Sequence, residues 1–100
     1  MIVSLGEALI DLLHSSNLRE PTAQVGGSPF NVAIALSRLN IETGFVCPLS
    51  NDEYGQLLRH HLRQNDVHQC IDTLASAPTA IAEVFTDDDG HPSYRFHRNG

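Results

Sequence analysis

Gly26-Gly27-Ser28-Pro29-Phe30-Asn31-Val32-Ala33 is the stretch on which the fold turns. Two adjacent glycines let a ligand or a neighbouring backbone come close. Ser28 followed by Pro29 has the order of a cap and a first helical position, and predicts a helix running to about Leu39. Phe30, Ala33, Ile34 and Leu36 give that helix a broad apolar surface suited to packing on a sheet. Asn40 is a natural left-handed stop. Thr22–Val25 before the glycines reads as a strand, and Gly44–Leu49 after the helix as a buried one.

Outward from this unit the alternation continues. Ile2–Leu5 is a short apolar run ending at Gly6, the pattern of a buried strand. Ala8–Leu13 is apolar but for Asp11, Ser15–Glu20 is polar, and Pro21 marks a turn. Ser50-Asn51-Asp52-Glu53 fits a capping box, Ser50 with Glu53. Tyr54, Leu57, Leu58, His61 and Leu62 then follow at the one-sided spacing of an amphipathic helix. Val67–Ile71 reads as a third strand of the core, so the fold class is α/β with a parallel sheet. Ala80–Thr86 and Ser93–Arg98 flank Asp87-Asp88-Asp89-Gly90, a hairpin whose tip needs a positive φ. A lone hairpin is marginal in water. The Leu9–Val25 excursion and the Ala80–Arg98 hairpin are therefore expected to form a small sheet apart from the core.

Composition narrows the function. The chain has 100 residues and a net charge of −6, which argues against a nucleic-acid partner, since phosphate neutralisation needs clustered cations. All six basic residues are arginine, and a Walker A loop requires lysine. G-x-G-x-x-G, H-E-x-x-H, G-x-S-x-G and Cys/His zinc spacings are also missing. His60 and His61 adjoin on a helix and face different ways, and Asp87–Asp89 reads as a solvated hairpin tip, so no metal site is expected. Cys47 and Cys70 are expected to be buried reduced thiols. No run approaches the about 18 apolar residues of a membrane span. The start of the chain lacks the basic residues of a signal peptide, and the expected location is the cytoplasm.

Two local features admit both a ligand and a plain structural reading. Gly26, Gly27 and Asn31 could cradle a polyol at a helix start, with Asn31 offering donor and acceptor, or could simply make a tight strand-to-helix turn. Asp11 interrupts an apolar run, where a carboxylate costs energy unless solvated or hydrogen-bonded. It faces either a pocket with paired hydroxyls or open water.

Taken together, Gly6-Glu7-Ala8-Leu9-Ile10-Asp11, Gly26-Gly27-Ser28-Pro29-Phe30-Asn31-Val32-Ala33 and Leu49-Ser50-Asn51-Asp52-Glu53-Tyr54-Gly55 resemble the opening of the ribokinase-like (PfkB-type) carbohydrate kinases. Thr79-Ala80-Ile81-Ala82 and Tyr94-Arg95-Phe96-His97-Arg98 extend the resemblance along the chain, and the run with Ser50 is most similar to bacterial fructokinases. Asn40 stands where the family favours Gly or Ser, and Ser50 where it favours Gly. Both changes fall at turns or caps.

The resemblance implies a Rossmann-like core with a β-sheet lid over the sugar, at approximately residues 9–25 and 80–98, often used in dimerisation. By analogy Asp11, Gly27 and Asn31 bind sugar hydroxyls, Gly26 shapes the turn, and Phe96 and Arg98 reach the substrate from the lid. Alternation independently puts Tyr94, Phe96 and Arg98 on one face of their strand. The family moves the γ-phosphoryl group of ATP, with Mg2+, to a sugar hydroxyl. Its base is an Asp in a Gly-Ala-Gly-Asp turn at a helix N-terminus. These 100 residues contain no such turn; the resemblance implies a catalytic Asp beyond Gly100 and no activity for the 100 residues alone. Alternatives are 2-keto-3-deoxygluconate kinase, with Arg98 pairing the acid's carboxylate, and a non-catalytic sugar-binding or dimerisation module.

Overall fold

A computed structural model describes residues 1–15, 19–71 and 75–97. The chain runs β1 (Ile2–Leu5), β2 (Leu9–His14), β3 (Thr22–Gly26), α1 (Ser28–Arg38), β4 (Thr43–Val46), α2 (Glu53–Gln64), β5 (His68–Gln69), β6 (Ala80–Thr86) and β7 (Pro92–His97). Two sheets result. β1, β4 and β5 form a parallel sheet in that order. β3-β2-β6-β7 form the second, in which β2 and β6 are parallel and the outer pairs antiparallel. The hairpin thus gains the partners it needs: β2 is paired along the full length of β6 up to Phe85.

One core serves both sheets. Phe30 of α1 and Phe45 of β4 are fully buried and meet edge-on at 5.5 Å, the geometry that aromatic quadrupoles favour. Ala33, Ile34, Leu58 and Leu62 bring the helices against them, and Ile10 of β2 joins from the second sheet with Leu12 and Val25 packed alongside.

Both helices end in the same way. Asn40 and Asp66 take positive φ, 63° and 56°. The amides of Ile41 and Val67 reach back to the carbonyls of Leu36 and Leu62 at 3.2 and 2.9 Å, closing Schellman motifs. Asn40 is the stop its sequence position predicts. Val67, by contrast, is used up in ending α2, so the third core strand shrinks from Val67–Ile71 to His68–Gln69. The second ends at Val46, short of Pro48, which has no amide to donate.

The two helix starts differ from expectation. Gly27, not Ser28, caps α1: it has φ 101° and its carbonyl accepts from Asn31 N at 2.9 Å. Ser28 is already helical, and no side chain caps the helix. At α2 the Ser50–Glu53 box does not form. Asp52, in extended conformation, is the cap and accepts from Gly55 N at 2.7 Å. Ser50 instead accepts from Asp52 N and bridges to Ala75. Cys47 is half-buried and Cys70 exposed, both free; the expected burial fails because the strands around them end early. Gly90 has φ 80°, as the hairpin tip requires.

Candidate functional site

The register of the second sheet places the candidate residues. Gln24, Asp11, Ala82 and Phe96 lie directly opposite one another across β3, β2, β6 and β7. Opposed residues share a face, so Asp11 and Phe96 stand on one side of the sheet with only the small Ala82 between them. Gly26, opposite Leu9, is on that side too. Ile10, Leu12 and Val25 point the other way, into the shared core. Asp11 therefore occupies the face turned away from the core.

Gly26 and Asp11 are sterically locked. A Cβ at Gly26 would collide with Asp11 Oδ2 and lie 3.2 Å from Leu9 Cδ1. Gly26 has no positive φ, so what it supplies is space for the carboxylate. Gly27 has a different reason. Its φ of 101° suits glycine, and a Cβ there would lie 2.8 Å from the Glu7 carbonyl oxygen. The pair is built for a close strand-to-helix turn and for an acid beside it.

Asp11 is half-buried, and among the described residues no group donates a hydrogen bond to its carboxylate. Burial pushes its pKa above the ordinary value. A desolvated carboxylate without a donor is a costly arrangement in a folded chain. A carboxylate is also a strong hydrogen-bond acceptor.

The remaining candidates fall elsewhere or outside view. Asn31 is exposed on α1 and borders a groove of about 500 Å³ with Ile34, Ala35, Arg38, Leu39 and His61. It follows Gly27 by one helical turn, and its backbone amide is held by the Gly27 carbonyl at 2.9 Å. Phe96 is exposed and its ring stacks with Tyr94 at 6.4 Å. Arg98 lies outside the described residues.

Two clusters were not anticipated. On the core-side face of the second sheet, Glu83 lies between His14 Nε2 at 3.3 Å and His97 Nε2 at 2.9 Å. The His97 hydrogen bond is the largest cause that holds the Glu83 carboxyl below its usual range; burial opposes it, and the His14 hydrogen bond and the two imidazoles' charges add to the lowering. At the α2 cap, Asp52 also accepts from Thr79 N at 2.8 Å and Thr79 Oγ1 at 2.6 Å. Burial pushes the Asp52 pKa up, but hydrogen bonds from Thr79, Gly55 and Ser50 outweigh it and the net shift is downward. Neither cluster has a sequence signature: each joins residues far apart in the chain. Asp87, Asp89 and His91 come together at the hairpin tip. There Asp87 Oδ1 accepts from the amides of Asp89 and His91, which makes the group a turn device.

Compared with known proteins, all of residues 1–100 match the family described as pfkB family carbohydrate kinase. The chain belongs to this family. It is 42% identical to a probable fructokinase-2 of Arabidopsis thaliana over 99% of its own length and 32% of that protein. It is 41% identical to a fructokinase-1 of Oryza sativa. Fructokinase from Xylella fastidiosa superposes with a TM-score of 0.85 at 35% identity, over 97% of this chain and 33% of that one. The pfkB chain described here thus spans about a third of the length of the relatives it matches, and its two-sheet architecture is theirs over that span. No described helix is long and apolar enough to cross a membrane.

Proposed function

We propose that this pfkB-family chain is the sugar-binding part of an ATP-dependent kinase that phosphorylates fructose or a related ketose. The observation that carries the reading is Asp11: a half-buried carboxylate with no donor among the described residues, on the sheet face turned away from the shared core, with Gly26 kept small to admit it. In this reading Asp11 accepts hydrogen bonds from neighbouring sugar hydroxyls, and Gly26 and Gly27 bring the backbone close. Asn31 adds a donor and acceptor from α1, while Phe96 and Arg98 reach the sugar from the second sheet. That sheet acts as the lid and excludes water, so that phosphoryl transfer is favoured over hydrolysis. ATP supplies the phosphoryl group and Mg2+ its charge compensation, and a relative's structure carries bound ATP. The base that deprotonates the sugar is an Asp outside these residues. Among the described residues β7 is an edge strand exposed throughout, and we place a homodimer contact there. The fructokinase names of the relatives favour the ketose over other sugars, and we assign the protein to the cytoplasm.

The test is a substrate panel for the full-length protein, with ADP release as readout. Fructose turnover whose kcat/KM falls at least about tenfold in Asp11→Asn supports the reading, as expected for a lost charge-assisted hydrogen bond. Phosphorylation of no sugar overturns it. Turnover of 2-keto-3-deoxygluconate alone, abolished by Arg98→Ala, assigns the acid instead.

A further inference from the structure

We propose that Asp52, acting through Thr79, is a positioning residue that sets where the second sheet stands over the sugar; this rests on the sugar-kinase reading above. Three stretches of chain lead from one sheet to the other, the third described from Ala75 onward. The link from β1 to β2 begins at Gly6 with φ 144°, and the link from β3 to α1 passes through Gly27 with φ 101°. Both bend at glycine. The third, Ala75-Ser76-Ala77-Pro78-Thr79 leading into β6, contains no glycine. It is held at each end. Ala75 donates its amide to Leu49 O at 3.0 Å, and Thr79 gives both its amide and its hydroxyl to Asp52.

The chemistry of Asp52 exceeds what a helix cap needs. One side-chain oxygen satisfies an N-cap, and Ser, Thr or Asn would serve. Here Oδ1 takes Gly55 N and Thr79 Oγ1, Oδ2 takes Thr79 N, and the Ser50 side chain adds a further hydrogen bond to the carboxylate. The second oxygen belongs to the joint. A pocket of about 80 Å³, lined in part by Ala8, Leu58, Ala77, Pro78 and Ala80, lies beside it. A polar clasp at such a joint fixes position by direction, which apolar contact does not.

The link to the sugar site is short. Thr79 is followed by Ala80, paired with Leu9, and by Ala82, which sits between Asp11 and Phe96. β6 is an inner strand, so a shift at Thr79 moves Ala82 and Phe96 relative to the core. The side-chain hydrogen bonds of Asp52 go to Gly55, Thr79 and Ser50 and to none of these residues, so its effect on them is positional.

Asp52→Asn separates the two roles: it keeps the cap oxygen but sets an amide NH2 against the Thr79 N–H. In the full-length protein the expected result is a sugar KM raised about tenfold with the ATP KM unchanged. Thr79→Val is expected to give a smaller rise and Thr79→Ser a value near wild type. Exchange of the Thr79 amide with solvent deuterium rises at least about tenfold in Asp52→Asn. A lower melting temperature with less active enzyme but unchanged sugar KM and unchanged Thr79 exchange overturns the proposal. If the wild-type protein phosphorylates no sugar, the kinase reading is what has failed. The Thr79 exchange then decides the clasp alone: faster in Asp52→Asn upholds it, unchanged overturns it.

Discussion

In the proposed reading, Asp11 trades stability for sugar binding. Its pKa is raised by burial, so its ionised form is less favourable in the folded chain than in the unfolded one. The corresponding stability is fully present below the unfolded pKa and is lost as pH rises through the folded one. Asp11→Asn removes that loss. The variant is expected to melt higher than wild type at pH 7 and to show no gain in acid below the carboxylate range, while binding sugar at least about tenfold more weakly. Calorimetry at both pH values with sugar titrations checks the pair of effects, and a variant that melts lower at pH 7 contradicts the account of Asp11 as a desolvated acceptor. Gly26 gives the complementary experiment. Its φ tolerates alanine, so Gly26→Ala harms through collision with Asp11 Oδ2. The damage to stability is therefore expected to shrink markedly when Asp11→Ala is combined with it, a coupling that a double-mutant cycle reads directly. Gly27→Ala has no such rescue. Its cost, about 1–2 kcal/mol for the left-handed backbone alone, is expected to persist beside any side-chain change.

At the level of elements, period and turn chemistry made most of the fold legible. Strand–helix alternation around Gly26-Gly27, the stop at Asn40 and the Gly90 tip all rest on local rules, and the structure follows them. What local rules missed is long-range. Asp52 wins the α2 cap over Ser50 because Thr79, 27 residues away, shares its carboxylate, and no window of sequence contains both. Strand ends missed because helix termination consumed Val67 and Pro48 lacks an amide. For the site, Asp11 and Gly26 were legible as an acid in an apolar run and a glycine pair. Their mutual fit needed the register of β2 against β3. The Glu83 cluster was equally hidden, with three strands each giving one residue. Its carboxyl is held low chiefly by the His97 and His14 hydrogen bonds. Stability from Glu83 is thus present above its unfolded pKa and lost as pH falls through the folded one. Glu83→Gln is expected to lower the melting temperature of the full-length protein at pH 7 and to leave it unchanged near pH 3. An equal drop at both values would show that the residue acts through packing.

At the level of the whole molecule, the 100 residues are spread wide for their number. The radius of gyration is 14.4 Å, against about 13 Å for a compact domain of this size. β1 is one element left open at the surface. Among the described residues it pairs on one side only, with β4, and Ile2, Val3 and Leu5 are 47%, 46% and 67% exposed. An apolar strand with a free edge is a template for pairing with another chain, and relatives three times as long have further chain available to cover such an edge. As a separate 100-residue polypeptide the protein is therefore expected to self-associate at micromolar concentration. A charge on the strand is the natural remedy, so Val3→Lys is expected to shift the sedimenting species of that polypeptide toward monomer. The same substitution in the full-length protein should have the opposite merit and lower the melting temperature, because the position is then buried and an unpaired ammonium there is costly. A wild-type 100-residue polypeptide that sediments as a monomer and melts in one sharp transition would show that β1 needs no cover. The two-sheet unit would then be a folding unit in its own right.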